Sequence, residues 1–358
     1  MKNQERIIVG VNLGSTSSEA GVRLSDGRLL KKKLSHSESE LSLPVGEQID
    51  FRYKAIKDWL REEGADISKC GAVACRGGRL RPIPSGTYEV NDELLSDSNR
   101  TTEGDHASRL SVFVGKRLAE QSNCPVFVVD PISVDEFSPV ARISGLKGTE
   151  RKSLGHALNS KYVARKLAED LGRKYEESRF LIAHMGGGAS ISLHINGKMV
   201  DLINDFEGAF TPERSGSLPM TEMLRLCGNN PIETVSKWVE GSGGIYSYLG
   251  TKRFDILEEK AMEKDEECEI LLEAYVYQQK KSMGALLAVA DFKIDGAALT
   301  GGIAHSQYVT KELSAVLSPC ASVRIYPGSF EMEALIERTL GALEGEVERL
   351  HYPSGRVL

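Results

Sequence analysis

The stretch VGVNLGSTSSEAGVRLSDG, residues 9–27, decides how the chain is read. An apolar run ending at Leu13 breaks into Gly14 and four consecutive hydroxyl residues, Ser15, Thr16, Ser17 and Ser18, and a second run ends at Asp26-Gly27. Strand, Gly/Ser turn, strand and Asx-Gly turn is the pattern of a β-hairpin that continues into a third strand. The same grammar recurs in AHMGGGASISLHINGK, residues 183–198. Gly14 falls on Gly186 and Ser18 on Ser190 at an offset of 172 residues, and Asp26-Gly27 matches Asn196-Gly197 at an offset of 170. An offset near half of 358 residues predicts two similarly built halves.

Tight turns present backbone N–H groups as anion nests, and glycine lets a phosphate come close. If the halves face each other, the two turns hold phosphates from opposite sides of one cleft. The sequence lacks GxxxxGK[ST], so this is not a P-loop, and GxGxxG is absent from both turns, which disfavours a dinucleotide fold.

Composition narrows the class. There are 45 Lys and Arg against 51 Asp and Glu, a net charge of −6, which leaves no electrostatic footprint for nucleic acid or an anionic membrane. The run Lys31-Lys32-Lys33 reads as a solvated strand end. The six cysteines are scattered with no Cys-x-x-Cys pair, so neither a zinc site nor a redox motif is spelled out. The N-terminal residues lack an apolar signal region, and no segment approaches the roughly 18 apolar residues of a membrane helix. A reduced, cytoplasmic protein is the expectation.

Strand-length apolar runs alternate with helix-period segments, which predicts an α/β architecture. FRYKAIKDWLREEG reads as a helix closed by Gly64, GAVACRGG as a strand entering a loop, RLSVFVGKRLAEQ as a helix, and PVFVVD as a buried strand ending in Asp130. NSKYVARKLAEDLG predicts a helix, FLIAH a strand, ILLEAYVYQQKKSMGALLAVA a long helix, and AALTGGIAHS a strand running into a loop. In EMEALIERTLGALEGEVERL, Met332, Leu335, Ile336, Leu340, Leu343 and Val347 recur at helical spacing and predict one helix with an apolar face.

The segments VDPISVDEFSPVARISG, ERKSLGHALNSKYVAR, HMGGGASISLHINGKMVD, FEGAFTPERSGSLP and LTGGIAHS resemble the butyrate kinases. These are acetokinase relatives of acetate kinase within the acetate and sugar kinase/actin superfamily. PERSGSLP and DPISVDE are the most specific, and the likeness runs over nearly the whole chain. The resemblance implies two duplicated actin-like, ribonuclease H-like α/β domains with a cleft between them. One would hold residues 1–145 plus 328–358, the other residues 146–327. It also implies ATP-dependent, reversible phosphorylation of a short-chain fatty acid by direct in-line transfer, with ATP, ADP and Mg²⁺ as cofactors and a homodimer or larger homo-oligomer. Acetate, propionate or branched-chain acid kinases remain alternatives, as does a kinase-like nucleotide binder with little turnover.

The chemistry suits such residues. A carboxylate is already ionised at neutral pH and needs no strong base. Its difficulty is approaching a polyanion, so cationic clamps and positioning dominate. By resemblance, Arg76 in ACRGG greets the substrate carboxylate and Arg214 in PERSG stabilises the transferring phosphoryl, where a planar guanidinium fork matches oxyanions. Asp130 orients substrate and metal, the alternative being a turn cap. His156 donates to the transition-state phosphate, and His184 is a second candidate. Asn12, Gly14, Ser15 and Ser17 form the first phosphate turn, and Gly186, Gly187 and Gly188 the second. Gly301 and Gly302 form the adenosine loop, or else a turn that needs glycine for its own dihedrals. Glu331 helps hold the metal, or else compensates a helix dipole.

Several residues depart from the family pattern: Glu19 where a Lys is usual, Leu13 for Pro, Gly155 for a bulky apolar residue, and Ser329 and Phe330 for acids. Strand alternation puts Ser17 and Glu19 on one side. A bare carboxylate there repels ATP, so Glu19 is expected to be neutralised by a nearby Lys or Arg, or to turn to solvent.

Overall fold

The computed structural model describes residues 6–100 and 106–357. The chain divides into two compact units. One comprises residues 1–136, 157–159 and 330–358, and the other 137–156 and 160–329. The sequence expectation had set these divisions at 145 and 327.

The first unit is built on β1 (Ile7–Leu13), β2 (Ser17–Arg23), β3 (Leu29–Ser35), β4 (Cys70–Cys75), β5 (Thr87–Glu89), β6 (Val126–Val129), β12 (Arg349–His351) and β13 (Arg356–Val357). They form one sheet in the order β13-β12-β5-β6-β4-β1-β2-β3. β1, β2 and β3 run antiparallel, and β1, β4 and β6 run parallel. All seven residues of β1 are buried, because both faces of the sheet are covered.

Alternation along β1 sorts its side chains. Val9, Val11 and Leu13 join the core of the helices Ile49–Glu62 and Ser111–Ala119. Gly10 and Asn12 point to the other face, where the helix Glu331–Glu344 lies. Gly10 pairs with Gly21 across the hairpin, and a Cβ on either would come within 2.4 Å of the Met332 sulfur. Two facing glycines therefore let this helix sit close against the strands that carry Asn12.

β3 is an exposed, lysine-rich edge, with Lys31 bonded to Glu333 and Lys32 near Glu62, so the Lys run protects a sheet edge. The last predicted helix is shorter than expected. It stops at Glu344 because Gly345 takes a left-handed conformation (φ 80°), and Val347 falls outside it.

The second unit carries β7 (Arg179–Met185), β8 (Ala189–Ile195), β9 (Lys198–Asn204), β10 (Gly296–Gly301) and β11 (Ser322–Pro327), in the order β11-β10-β7-β8-β9. β7, β8 and β9 are antiparallel, and β7, β10 and β11 parallel, which repeats β3-β2-β1-β4-β6 strand for strand. The helix Glu266–Val289 buries Leu271, Leu272, Tyr275, Met283 and Leu286 in the core of this unit. The helices between Met220 and Met262 fill a stretch for which the sequence reading named no elements.

The repeat differs from the sequence alignment by one residue. Leu13 pairs with Ser18, which puts four residues, 14–17, between the paired positions, whereas Met185 pairs with Ala189 and leaves only Gly186–Gly188. Ser190 sits opposite His184 as Glu19 sits opposite Asn12, so Glu19, not Ser18, is the register counterpart of Ser190. Asn196 and Gly197, both at positive φ, make a two-residue turn, while Asp26-Gly27 sits in a longer one closed by Leu24 and Arg28. Among the described residues, no helix is long and apolar enough to cross a membrane.

Candidate active site

In the first unit, Asn12, Glu19, Arg76 and Glu331 form one network. The Asn12 amide donates from Nδ2 to Glu331 Oε2 at 2.8 Å and to Glu19 Oε2 at 3.0 Å. Its carbonyl Oδ1 accepts from Arg76 Nη1 at 3.3 Å, and Arg76 Nη2 lies 3.5 Å from Glu331 Oε1. Arg76 follows the last residue of β4, anchored by its own N–H to the Val11 carbonyl. Both side-chain contacts are long, so most of the guanidinium's donor capacity remains for a ligand.

The Glu19 expectation is overturned. Among the described residues Glu19 meets no cation at bonding distance, and it does not turn to solvent; its carboxylate turns toward Asn12 and Glu331, while the Lys31 amine goes to Glu333. Burial raises the Glu19 carboxyl above its ordinary value. The Asn12 bond opposes that shift, the Glu331 charge adds to it, and Lys31 and Glu333 act more weakly.

The Gly14–Ser18 turn closes on itself through Gly14 N–H to Ser17 O at 2.9 Å. Beneath it lies Arg52, fully buried, which donates to the carbonyls of Ser15 and Ser17, to Ser18 Oγ and to Gln48 Oε1. Among the described residues no carboxylate pairs with it. A buried cation held by neutral acceptors places positive potential under the turn, which suits an anion above it. Burial pulls the Arg52 guanidinium below its ordinary value. The sequence did carry a signal for Arg52: on its helix it falls in the stripe of Ile49, Ile56, Trp59 and Leu60, a charge on the apolar face.

Asp130 follows β6 in a strained conformation (φ 37°) and is 1% exposed. Its Oδ1 accepts from Ser85 Oγ at 2.6 Å and from Gly86 N–H at 2.8 Å. Glu331 opens its helix, where a dipole also favours a carboxylate. The residue before it, Phe330, donates its N–H to Asn159 Oδ1.

In the second unit, the Gly186–Gly188 turn meets the PERSG loop. Arg214 Nη1 donates to both oxygens of Asp205 at 2.9 and 2.7 Å, and the Asp205 side chain is 1% exposed. Ala189 N–H donates to the same carboxylate. The loop is pinned from three sides: Thr211 Oγ1 donates to Gly187 O, Ser215 N–H to Val239 O, and Gly243 N–H to Glu213 O. Arg214 Nη2 makes no hydrogen bond among the described residues, so an anion can take it. Sequence reasoning missed Asp205, which nothing in NDFEG marks out until β9 brings it beside Arg214.

His156 and His184 stack at 4.0 Å, and the His156 backbone N–H and Nδ1 both reach Ser190 Oγ. A Cβ at Gly188 would fall 3.0 Å from Arg214 Nη1 and from Asp205 Oδ2 and 3.2 Å from His156 Cε1, so the three converge on the turn.

A cavity of about 420 Å³ opens beside it, lined by Gly186, Gly187, Phe254, Glu258, Gly302 and Ser306. The two loop glycines differ. Gly301 has φ 92°, and a Cβ there would come 2.2 Å from Met185 O, so the fold itself excludes a side chain. Gly302 has open space in front of it and faces the cavity. Among the described residues no three His, Cys, Asp or Glu side chains group as a metal cage.

Residues 148–319 match the acetokinase family. The chain is 41% identical over 359 residues to a probable butyrate kinase of Enterococcus faecalis, covering 99% of both. It is 39% identical over 348 residues to butyrate kinase 1 of Clostridium acetobutylicum, covering 96% of this chain and 98% of that one. Among solved structures, acetate kinase of Porphyromonas gingivalis superposes with TM-score 0.75 at 17% identity, over 94% of this chain and all of that one. A propionate kinase of Francisella tularensis gives 0.75 at 15%, over 93% and 98%. The structural likeness is one of fold.

Proposed function

The chain belongs to the acetokinase family, and from that premise we propose that it moves the γ-phosphoryl group of ATP to the carboxylate of a short-chain fatty acid, butanoate before others. The products are butanoyl phosphate and ADP, and the reaction is reversible. The observation that carries this reading is Arg214, gripped at one nitrogen by buried Asp205 and open at another, over a glycine turn. A guanidinium fixed that way is preorganised for charge that develops on a transferring phosphoryl group.

No side chain has to act as a strong base, since the attacking carboxylate is ionised already. Arg76 meets the acid's carboxylate, and His156 donates toward the phosphoryl oxygens. The Gly14–Ser17 and Gly186–Gly188 turns supply backbone N–H groups to phosphates. The cavity beside Gly302 takes the adenosine.

Mg²⁺ fits this residue set as an ion carried by the nucleotide. Phosphates and waters fill most of its octahedral sites, and one or two protein carboxylates suffice. We assign Glu331 to it, as one such carboxylate. When bound, the ion neutralises phosphate charge.

Self-association belongs to the same proposal. Leu43 is the one large apolar side chain exposed on the first unit among the described residues, whereas the second exposes Met220, Leu224, Ile232, Tyr248, Ile270 and Tyr277. Sedimentation should return at least a dimer. The decisive assay is acyl-hydroxamate formation from ATP, Mg²⁺ and acids of two to six carbons. Highest kcat/KM with the four-carbon acid is expected. A maximum at two or three carbons reassigns the substrate, and no product with any acid refutes the kinase reading.

A further inference from the structure

We infer that Glu19 is a positioning residue for phosphoryl transfer, holding the Asn12 carboxamide in the orientation that faces its NH₂ to Glu331 and its carbonyl to Arg76. The inference rests on the carboxylate-kinase reading above. A carboxamide carries two donors on one side and an acceptor on the other, and a half-turn exchanges them. As placed, Asn12 donates to two carboxylates and accepts from a guanidinium. Turned over, its oxygen would face both carboxylates and its NH₂ the guanidinium, so all three contacts would become repulsive.

Glu331 and Arg76 favour the same orientation, and Glu19 adds the third contact that holds it. Asn12 is 7% exposed, and without Glu19 one of its two N–H groups loses its acceptor in a site nearly closed to water. Glu19 is delivered by the fold, since it lies directly opposite Asn12 in the β1–β2 register and on the same face. The Lys31 amine is engaged by Glu333, and Glu19 makes no ion pair among the described residues. The carboxylate that breaks the family pattern is therefore employed in orientation, through a neutral amide, and not in cancelling a charge.

The test compares Glu19→Gln, Glu19→Ala and Glu19→Lys. Gln keeps an acceptor oxygen for Asn12 without the charge, Ala removes it, and Lys replaces it with a donor. Positioning predicts Gln within about twofold of the parent in kcat. Ala and Lys should each be about tenfold lower, the factor carried by one hydrogen bond to a charged group, with KM for ATP changed less than about twofold. If Glu19 instead acts as a repelling charge, KM for ATP falls in the order Glu, Gln, Lys. That order, or an Ala variant with parental kcat, overturns the inference.

A second readout needs no turnover. With selectively ¹⁵N-labelled asparagine, the Asn12 side-chain amide should show two resolved, slowly exchanging protons in the parent and in Glu19→Gln, and one of the two should lose that protection in Glu19→Ala. Equal protection in Glu19→Ala overturns the inference. If the parent phosphorylates no acid, the kinase reading fails while this measurement still decides the role of Glu19. Should the Lys variant fail to fold, the Gln and Ala pair carries the comparison.

Discussion

Replacing Arg214 by alanine should damage the protein twice, and the two losses can be separated. The Asp205 carboxylate is 1% exposed and receives both short bonds from Arg214 Nη1, so the alanine variant leaves a buried charge without its cation. Breaking a buried pair from one side costs about 3–5 kcal/mol. Ala189 N–H still donates to Asp205 at 2.8 Å, which favours the lower figure, about 3 kcal/mol. For a unit of this size that lowers Tm by roughly 6–12 °C. Turnover should fall on the order of 10²–10³, as when an electrostatic donor to a developing charge is removed. The double variant Arg214→Ala with Asp205→Asn removes the stranded charge and keeps an acceptor for Ala189. It should regain most of the Tm and none of the kcat. Thermal unfolding and the hydroxamate assay on the parent, Arg214→Ala, Asp205→Asn and the double variant complete the cycle. Parental stability in Arg214→Ala, or recovered turnover in the double variant, refutes the reasoning.

Arg76→Ala should behave differently, with kcat down on the order of 10² and stability within about 1 kcal/mol of the parent, because its contacts are long and Asn12 still donates to Glu331. Parallel urea melts and hydroxamate rates check both halves of that statement. Gly301→Ala should unfold at lower temperature, since its φ of 92° and the Met185 carbonyl both oppose a Cβ, whereas Gly302→Ala should keep its Tm and raise KM for ATP. His194, buried between Tyr175 and Ser192 hydroxyls, is held well below its ordinary value of 6.5 by burial and then by Lys161 and Arg165. The unfolded chain takes up this proton near pH 6.5 and the folded one does not, so stability is complete above that pH and falls below it. The slope should reach about 1.4 kcal/mol per pH unit, and urea unfolding from pH 7.5 to 5.0 should show it flattened in His194→Gln.

Local pattern carried the reading a long way. The hairpins, the α/β class and the places of Arg76 after β4 and Asp130 after β6 all follow from apolar periodicity and punctuation by glycine. What periodicity cannot supply is the partner of a polar group. Arg52 was passed over, although it is a charge in an apolar stripe, and only the packing of its helix on the hairpin shows that it caps the turn carbonyls. Asp205 looked like any acid after a strand, because its meaning depends on Arg214 arriving from a separate loop. Glu19 was placed on the correct side by alternation and given the wrong partner, since a charge argument looks for a cation whereas the register supplies an amide. The helix past Gly345 was overrun because Val347 kept the spacing after the backbone had already turned.

The interrupted layout of the first unit bears on the order in which its parts assemble during synthesis. β1 comes far earlier in the chain than the helix that covers Gly10 and Gly21, and Glu331 lies 319 residues beyond the Asn12 it bonds. The whole of the second unit, residues 137–156 and 160–329, with a five-stranded sheet of its own, precedes that helix in the chain. A chain ending before residue 330 therefore holds the Arg214–Asp205 pair without the Asn12–Glu331 bond. The Asn12 network therefore closes only once the helix that begins at Glu331 has docked on β1 and β2.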